Sequence, residues 1–350
     1  MRSNLIELYA RTALLRRNLE LAESVDALRS WRRPHARRYA ADRQIEAFQR
    51  NAPGKADTRG FTNSGILVGL YGALEQYVER LIEDSVETYI ACCQSYAGLP
   101  GGVLRQYSIL SAEVLTAMAA ERYSGSVTEE ELAAGLYGTL KRTTPIPLAT
   151  GVFSRHTANF RWELIKSLFA RAGLDVASTR TSSHLTDAMA AHFPDEGDPV
   201  FVINDLAERR NALAHGITSD LLSFELLGSY VAVIEAFAEA LYASAASATL
   251  RVILAEGAII EFGSLGRPDR VFRREVAGYL TLPQEVATGR VVAIIRSDRV
   301  SAAVVKEIQV NNATVKVAEQ GSSAGLRLSA PLSGRSRLCL LPDNARRIAE

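Results

Sequence analysis

Asp205-Leu-Ala-Glu-Arg-Arg-Asn-Ala-Leu-Ala-His-Gly216 closes a helical pattern that begins near Pro199, and it crowds Arg, Asn and His into two turns. A helix that only packs against its neighbours has no need of those residue types at its end. Arg210 and His215 are five positions apart, roughly 140° around a helix of 3.6 residues per turn, so they flank one cleft without stacking. Asn211 and His215 are four apart and share a face. An imidazole changes charge near neutral pH and moves protons in either direction. A guanidinium beside it holds a phosphate and stabilises charge that develops there. The two groups suffice for phosphodiester transesterification, in which the base removes a 2′-hydroxyl proton and the oxygen attacks the adjacent phosphorus. No metal ion is required by that chemistry. Gly216 stands where a left-handed C-terminal cap belongs.

Outward from this segment the chain reads as helices. The spacing of Leu5, Leu8, Leu15, Leu19, Ala22 and Val25 predicts a helix over about Asn4–Arg33, which Pro34 interrupts and Ala36–Gln49 resumes. A second long helix is predicted over Thr62–Tyr96, with Ile66, Leu70, Leu74, Tyr77, Val78 and Leu81 as its apolar stripe. Helical periodicity also covers Val103–Glu121, Thr128–Thr139, His156–Ala172, Ser182–His192, Pro199–His215 and Ser219–Ser247, with a capping box at Thr128-Glu-Glu-Glu. After Ala248 the pattern changes. Runs at Ala258–Phe262, Val291–Ile295, Val304–Gln309, Ala313–Val317 and Arg337–Leu341 are rich in Val and Ile, and Asn311-Asn312 marks a hairpin turn. The predicted class is α+β: a mainly α-helical bundle over residues 1–247, then a small β-rich, barrel-like domain over 248–350 with a binding or regulatory role.

The motif at 205–216 does not stand alone. Arg-Asn-x-x-x-His followed by glycine resembles the R-x4-6-H motif of the HEPN superfamily. Leu70-Tyr-Gly-Ala-Leu-Glu-Gln-Tyr-Val-Glu79, Asn159-Phe-Arg-Trp-Glu-Leu-Ile-Lys166 and Ala172-Gly-Leu-Asp175 resemble its MAE-like and RiboL-PSP subgroup, so the likeness spans about residues 62–242. The resemblance implies a homodimer in which two motif helices meet, and RNA, tRNA included, as the substrate. It assigns His215 as general acid and base, Arg210 as the phosphate group's partner, and Asn211 as the residue that orients the imidazole or a phosphate oxygen. Glu75 becomes the polar neighbour that fixes the imidazole tautomer. Arg209 also satisfies the permitted spacing and rivals Arg210. Members with intact motifs act as toxins or antiviral effectors, and others only bind nucleotides or answer to a nucleotidyltransferase partner.

Each residue has a plainer reading. A histidine before a glycine suits the negative end of a helix, Glu75 could pair with an arginine in the core, and Asn211 could serve local hydrogen bonding. Arg32, Arg33, Arg37 and Arg38, around Trp31 and Tyr39, form a basic cluster suited to an RNA backbone, although a charge run at a helix break is commonly a solvated surface.

Composition narrows the remaining classes. The formal net charge is +1, with 47% hydrophobic and 23% charged residues, so no global basic field draws nucleic acid and any contact is local. Cys92, Cys93 and Cys339 make neither a disulfide framework nor a metal spacing, and neither a metal nor a cofactor is expected. His184 and His192 lack metal-ligand company. There is no G-x-x-x-x-G-K-[ST] loop and no G-x-S-x-G elbow. The N-terminus shows no apolar signal core, and Glu235 and Glu239 break the longest apolar stretch, so a cytoplasmic protein with no membrane contact is expected.

Overall fold

The computed structural model describes residues 1–31, 40–93, 95–121, 125, 127–216, 221–255 and 263–349. Its framework is three long helices: α1 (Arg2–Ser30), α3 (Lys55–Cys92) and α10 (Phe224–Ile253), with α3 packed against both others. The 38-residue α3 is central because its apolar residues recur every three or four positions on more than one side. Leu67, Leu70, Leu74, Val78, Leu81 and Ile82 are all fully buried. Burying one such side chain is worth about 1.5–3 kcal/mol, so α3 is a major contributor to the stability of the bundle. The helix starts at Lys55, directly after the Asn51-Ala-Pro-Gly turn, and ends at Cys92, a few residues before the expected close.

Shorter helices surround this frame: α2 (Ala40–Asn51), α4 (Val103–Ala119), α5 (Glu129–Lys141), α6 (Gly151–Ser154), α7 (Trp162–Arg171), α8 (Ser183–His192) and α9 (Phe201–Ala214). The capping box is present at α5: the Thr128 hydroxyl accepts from the Glu131 amide at 3.2 Å, and the Glu131 carboxylate accepts from the Thr128 amide at 2.8 Å. The largest departure concerns the segment predicted as helix from His156. Residues 155–161 form a loop and α7 begins only at Trp162. The Arg161 amide donates to the Asn159 carbonyl (2.8 Å), a turn too tight for helix, and the Trp162 amide is capped by the Asn204 side chain of α9 (3.0 Å).

The α10 helix runs to Ile253 rather than ending at Ser247, because Leu250 and Ile253 remain buried. By length and hydropathy it could cross a membrane, but it is a core helix here. Leu227, Val231, Ile234, Phe237 and Leu241 are fully buried, and Glu235 accepts from Thr12 (2.6 Å) and Arg16 (2.7 Å) of α1.

The C-terminal part is an antiparallel sheet curled into a half-barrel. Its strands are β1 (Ser264–Gly266), β2 (Arg270–Phe272), β3 (Val276–Tyr279), β5 (Val291–Ile295), β6 (Val300–Val310), β7 (Ala313–Val315), β9 (Ala324–Leu328) and β10 (Arg337–Leu340). They follow the order β1-β10-β5-β6-β9-β3-β2, with β7 also on β6. A separate pair joins β4 (Val286–Ala287) and β8 (Val317–Ala318). Asn311 and Asn312 both adopt left-handed backbone, φ 51° and 62°, and join β6 to β7 through the Val310–Ala313 pair, as a two-residue hairpin requires. The expected strand at 258–262 lies outside the described residues. In β5 the faces divide: Val291 and Ala293 pack in the helical core, Val292 and Ile294 in the core of the half-barrel. A strand buried on both faces reads as an unbroken apolar run, as Val291–Ile295 does. The Ser247 hydroxyl accepting from the Val300 amide (2.9 Å) ties α10 to the start of β6. A four-residue helix, α11 (Arg346–Ala349), closes the described chain.

Candidate functional site

The α9 helix carries the motif on its last turns. His215 is its C-terminal cap, with the backbone N–H bonded to the carbonyls of Asn211 (3.1 Å) and Ala212 (3.2 Å). Gly216 follows with φ 70°, the left-handed geometry expected at that point, and its N–H reaches Leu213 O at 3.1 Å. The His215 side chain is solvent-exposed and Asn211 is half-buried.

Arg210 turns toward α3. Its guanidinium lies over the Tyr71 ring, 5.0 Å from the centroid, and Nη1 donates to Asn159 Oδ1 at 3.5 Å. The Tyr71 hydroxyl accepts from the Phe160 amide (2.9 Å) and hydrogen-bonds Glu75 one helical turn on. Burial pushes the Glu75 carboxyl above the usual carboxylate range and Glu79 adds to this, while His156, Arg210 and the Tyr71 bond oppose it. Glu75, Arg210 and the 155–161 loop therefore meet in one polar cluster between α3 and α9.

Arg209, the rival, points elsewhere. Its Nε donates to Asp205 Oδ2 at 2.6 Å and to the Tyr230 hydroxyl at 3.3 Å, and that hydroxyl also bonds Asp205. Both ionic partners are largely shielded from solvent, 24% and 18% exposed. This is a tie between α9 and α10 rather than an open phosphate site. Arg209→Ala should cost about 2 kcal/mol, because it strands a half-buried carboxylate and a tyrosine hydroxyl. Thermal melts of the variant measure that loss, and an unchanged midpoint would show that the tie is inert.

The imidazole beside Glu75 is that of His156, whereas the resemblance assigns Glu75 to the imidazole of His215. His156 Nε2 lies 3.1 Å from Glu79 Oε1 and 3.8 Å from Glu75 Oε1, and Nδ1 lies 2.9 Å from the Ala158 carbonyl. Phe160 presents edge-to-face at 4.3 Å. Burial disfavours the charged ring, but the bonds to Glu79 and Ala158 and the charges of both glutamates outweigh it and raise the His156 pKa. In the sequence His156 reads only as the start of a predicted helix. The signal that could have found it is the row Glu75, Glu79, Glu83, Glu87, four carboxylates at four-residue spacing on α3. Like charges so placed cost a few tenths of a kcal/mol per pair unless something answers them. The segment between α5 and α7 does so: Thr150 donates to Glu87 (3.4 Å), Ser154 to Glu83 (2.6 Å), and His156 meets Glu79 and Glu75.

Arg32, Arg33, Arg37 and Arg38 lie outside the described residues. Among the described residues no group of three or more His, Cys, Asp and Glu side chains forms a metal-binding set. His184 faces Glu239 at 3.5 Å and His192 faces Ser229 at 3.2 Å. A cleft of about 1190 Å³ lies along the C-terminal half of α10, lined by Arg2, His184, Glu239, Arg251 and Arg299, and includes neither Arg210 nor His215. No curated protein and no solved structure matches the chain. The model of the family described as RiboL-PSP-HEPN matches residues 37–246, more than half of the sequence and every helix of the polar cluster. The chain belongs to the RiboL-PSP-HEPN family, within the HEPN superfamily.

Proposed function

We propose that the protein is a metal-independent endoribonuclease that cuts RNA by 2′-hydroxyl attack, leaving a 2′,3′-cyclic phosphate and a 5′-hydroxyl. The observation that carries this reading is the pairing of a guanidinium fixed by Tyr71 and Asn159 with an exposed imidazole at the end of the same helix. Arg210 binds the scissile phosphate and stabilises the charge that builds on its oxygens. His215 takes the 2′-hydroxyl proton and returns one to the departing 5′-oxygen. Asn211, four residues before His215, orients the imidazole or a phosphate oxygen.

The active form is a homodimer. Phe61, Gly65, Val68 and Gly72 follow one another at spacings of four, three and four along α3, and the row runs on into Glu75. Phe61 is 83% and Val68 50% exposed, and nothing stands within 4 Å of where a Cβ would sit at Gly65 or Gly72. Such a face suits close approach of a second copy beside Arg210, which would place two motifs in one groove. An open groove also fits a polymer substrate, tRNA among the candidates. A toxin or antiviral effector acting in the cytoplasm is the cellular role this activity suits.

The test is incubation of purified protein with total RNA and tRNA in EDTA. Cleavage with cyclic-phosphate ends supports the proposal. RNA bound but uncut, by a dimer, favours a non-catalytic binding module, and added mass on the purified chain favours regulation by a nucleotidyltransferase partner.

A further inference from the structure

His156 is the one described histidine enclosed by the polar cluster, and the catalytic roles above do not use it. Its two ring nitrogens meet acceptors on two different elements: the Glu79 carboxylate of α3 and the Ala158 carbonyl of the loop. An imidazole satisfies two acceptors only when both nitrogens carry protons. That loop is the same one that meets Arg210, since Asn159 accepts from the guanidinium and the Phe160 amide bonds Tyr71 beneath it. The side chain of His156 is 14% exposed, and the Phe160 ring closes its remaining flank.

We propose that His156 is a positioning residue for Arg210: its imidazolium clips the 156–161 loop to Glu75 and Glu79 and so holds Asn159 and Tyr71 against the guanidinium. This assignment rests on the ribonuclease reading of Arg210, but the clip itself is a property of the fold. The charged groups that set its protonation are Glu75 and Glu79 on α3. Arg210 from α9 acts on Glu75, and Glu79 and Glu87 act on Glu83 further down the row. On deprotonation one nitrogen loses its proton, one of the two acceptors is abandoned, and two neighbouring carboxylates lose their counter-charge. The folded pKa is raised above the ordinary value near 6.5, so the clip is fully present below that value and opens as pH rises through the folded one.

The experiment compares wild type with His156→Gln, His156→Arg and Glu79→Gln by NMR of the Arg210 Nε–H signal, assigned by its loss in Arg210→Lys, alongside RNA cleavage across pH. A shifted, exchange-broadened Arg210 signal in His156→Gln and in Glu79→Gln, in variants that keep the wild-type fold, supports the clip. Cleavage should then fall about 10- to 100-fold, mainly in kcat, as expected for a displaced catalytic group. His156→Arg should recover part of it and flatten the alkaline limb. An Arg210 signal unchanged in both Gln variants overturns the proposal whether or not RNA is cut. A changed signal in a protein whose wild type cuts no RNA upholds the clip and overturns the ribonuclease reading instead.

Discussion

Arg210→Ala should lower the rate of RNA cleavage by a factor of about 10² to 10³, the range expected when a single group stabilising transition-state charge is removed. His215→Ala should cost about 10² to 10⁴ through loss of proton transfer. Both variants should fold. Arg210 contributes one stacking contact on Tyr71 and one long hydrogen bond to Asn159, worth about 1 kcal/mol together. The His215 side chain is exposed, and the helix end is held by backbone bonds and by Gly216. Arg209→Ala forms the contrast, since its guanidinium serves Asp205 and Tyr230: stability should fall while the cleavage rate of folded protein stays within a few-fold. Initial rates at matched folded concentration separate the two arginines. Equal losses at 209 and 210 would mean that the roles assigned from their directions are wrong.

Phe237→Ala should destabilise the protein by about 3–5 kcal/mol, the usual cost of emptying a ring-sized volume in a packed core. Phe237 is fully buried on α10 and packs edge-to-face with Trp162 of α7, ring centroids 6.1 Å apart. Trp162 in turn is capped by Asn204 of α9, so the cavity would open behind the motif helix. Urea unfolding should show the midpoint falling with an unchanged slope. Phe237→Leu, which keeps most of the volume, should lose far less. A loss below about 1 kcal/mol for alanine would show that α7 and α10 are not the joined support inferred from their packing.

Much of this architecture is legible in the sequence because long amphipathic segments state their own period. The stripe of Ile66, Leu70, Leu74 and Leu81 locates α3, Gly216 marks the end of α9, and Thr128 with Glu131 marks the start of α5. The Asn311-Asn312 hairpin is legible for a similar reason, since few residues accept two successive left-handed positions. The short strands β1, β2 and β3 are not: three or four residues carry too little alternation to stand out from loop. The 155–161 loop is hidden because Phe160 stands four positions before Leu164, a helical spacing, while the backbone departs from helix until Trp162. The same blindness covered His156, whose partners Glu75 and Glu79 lie some eighty positions away. Arg209 and Arg210 are indistinguishable as letters. Only the surroundings of α9 divide them, Asp205 and Tyr230 on one side, Tyr71 and Asn159 on the other.

Attack by the 2′-hydroxyl without a metal ion is measured by giving the wild-type protein, in EDTA, an RNA strand it cuts and the same strand with a single 2′-deoxy nucleotide at the scissile position. The all-ribose strand should be cleaved to a 2′,3′-cyclic phosphate, with no cleavage at the deoxy position. Cutting of the deoxy-substituted strand at that position, or abolition of all cleavage by EDTA, would contradict that mechanism.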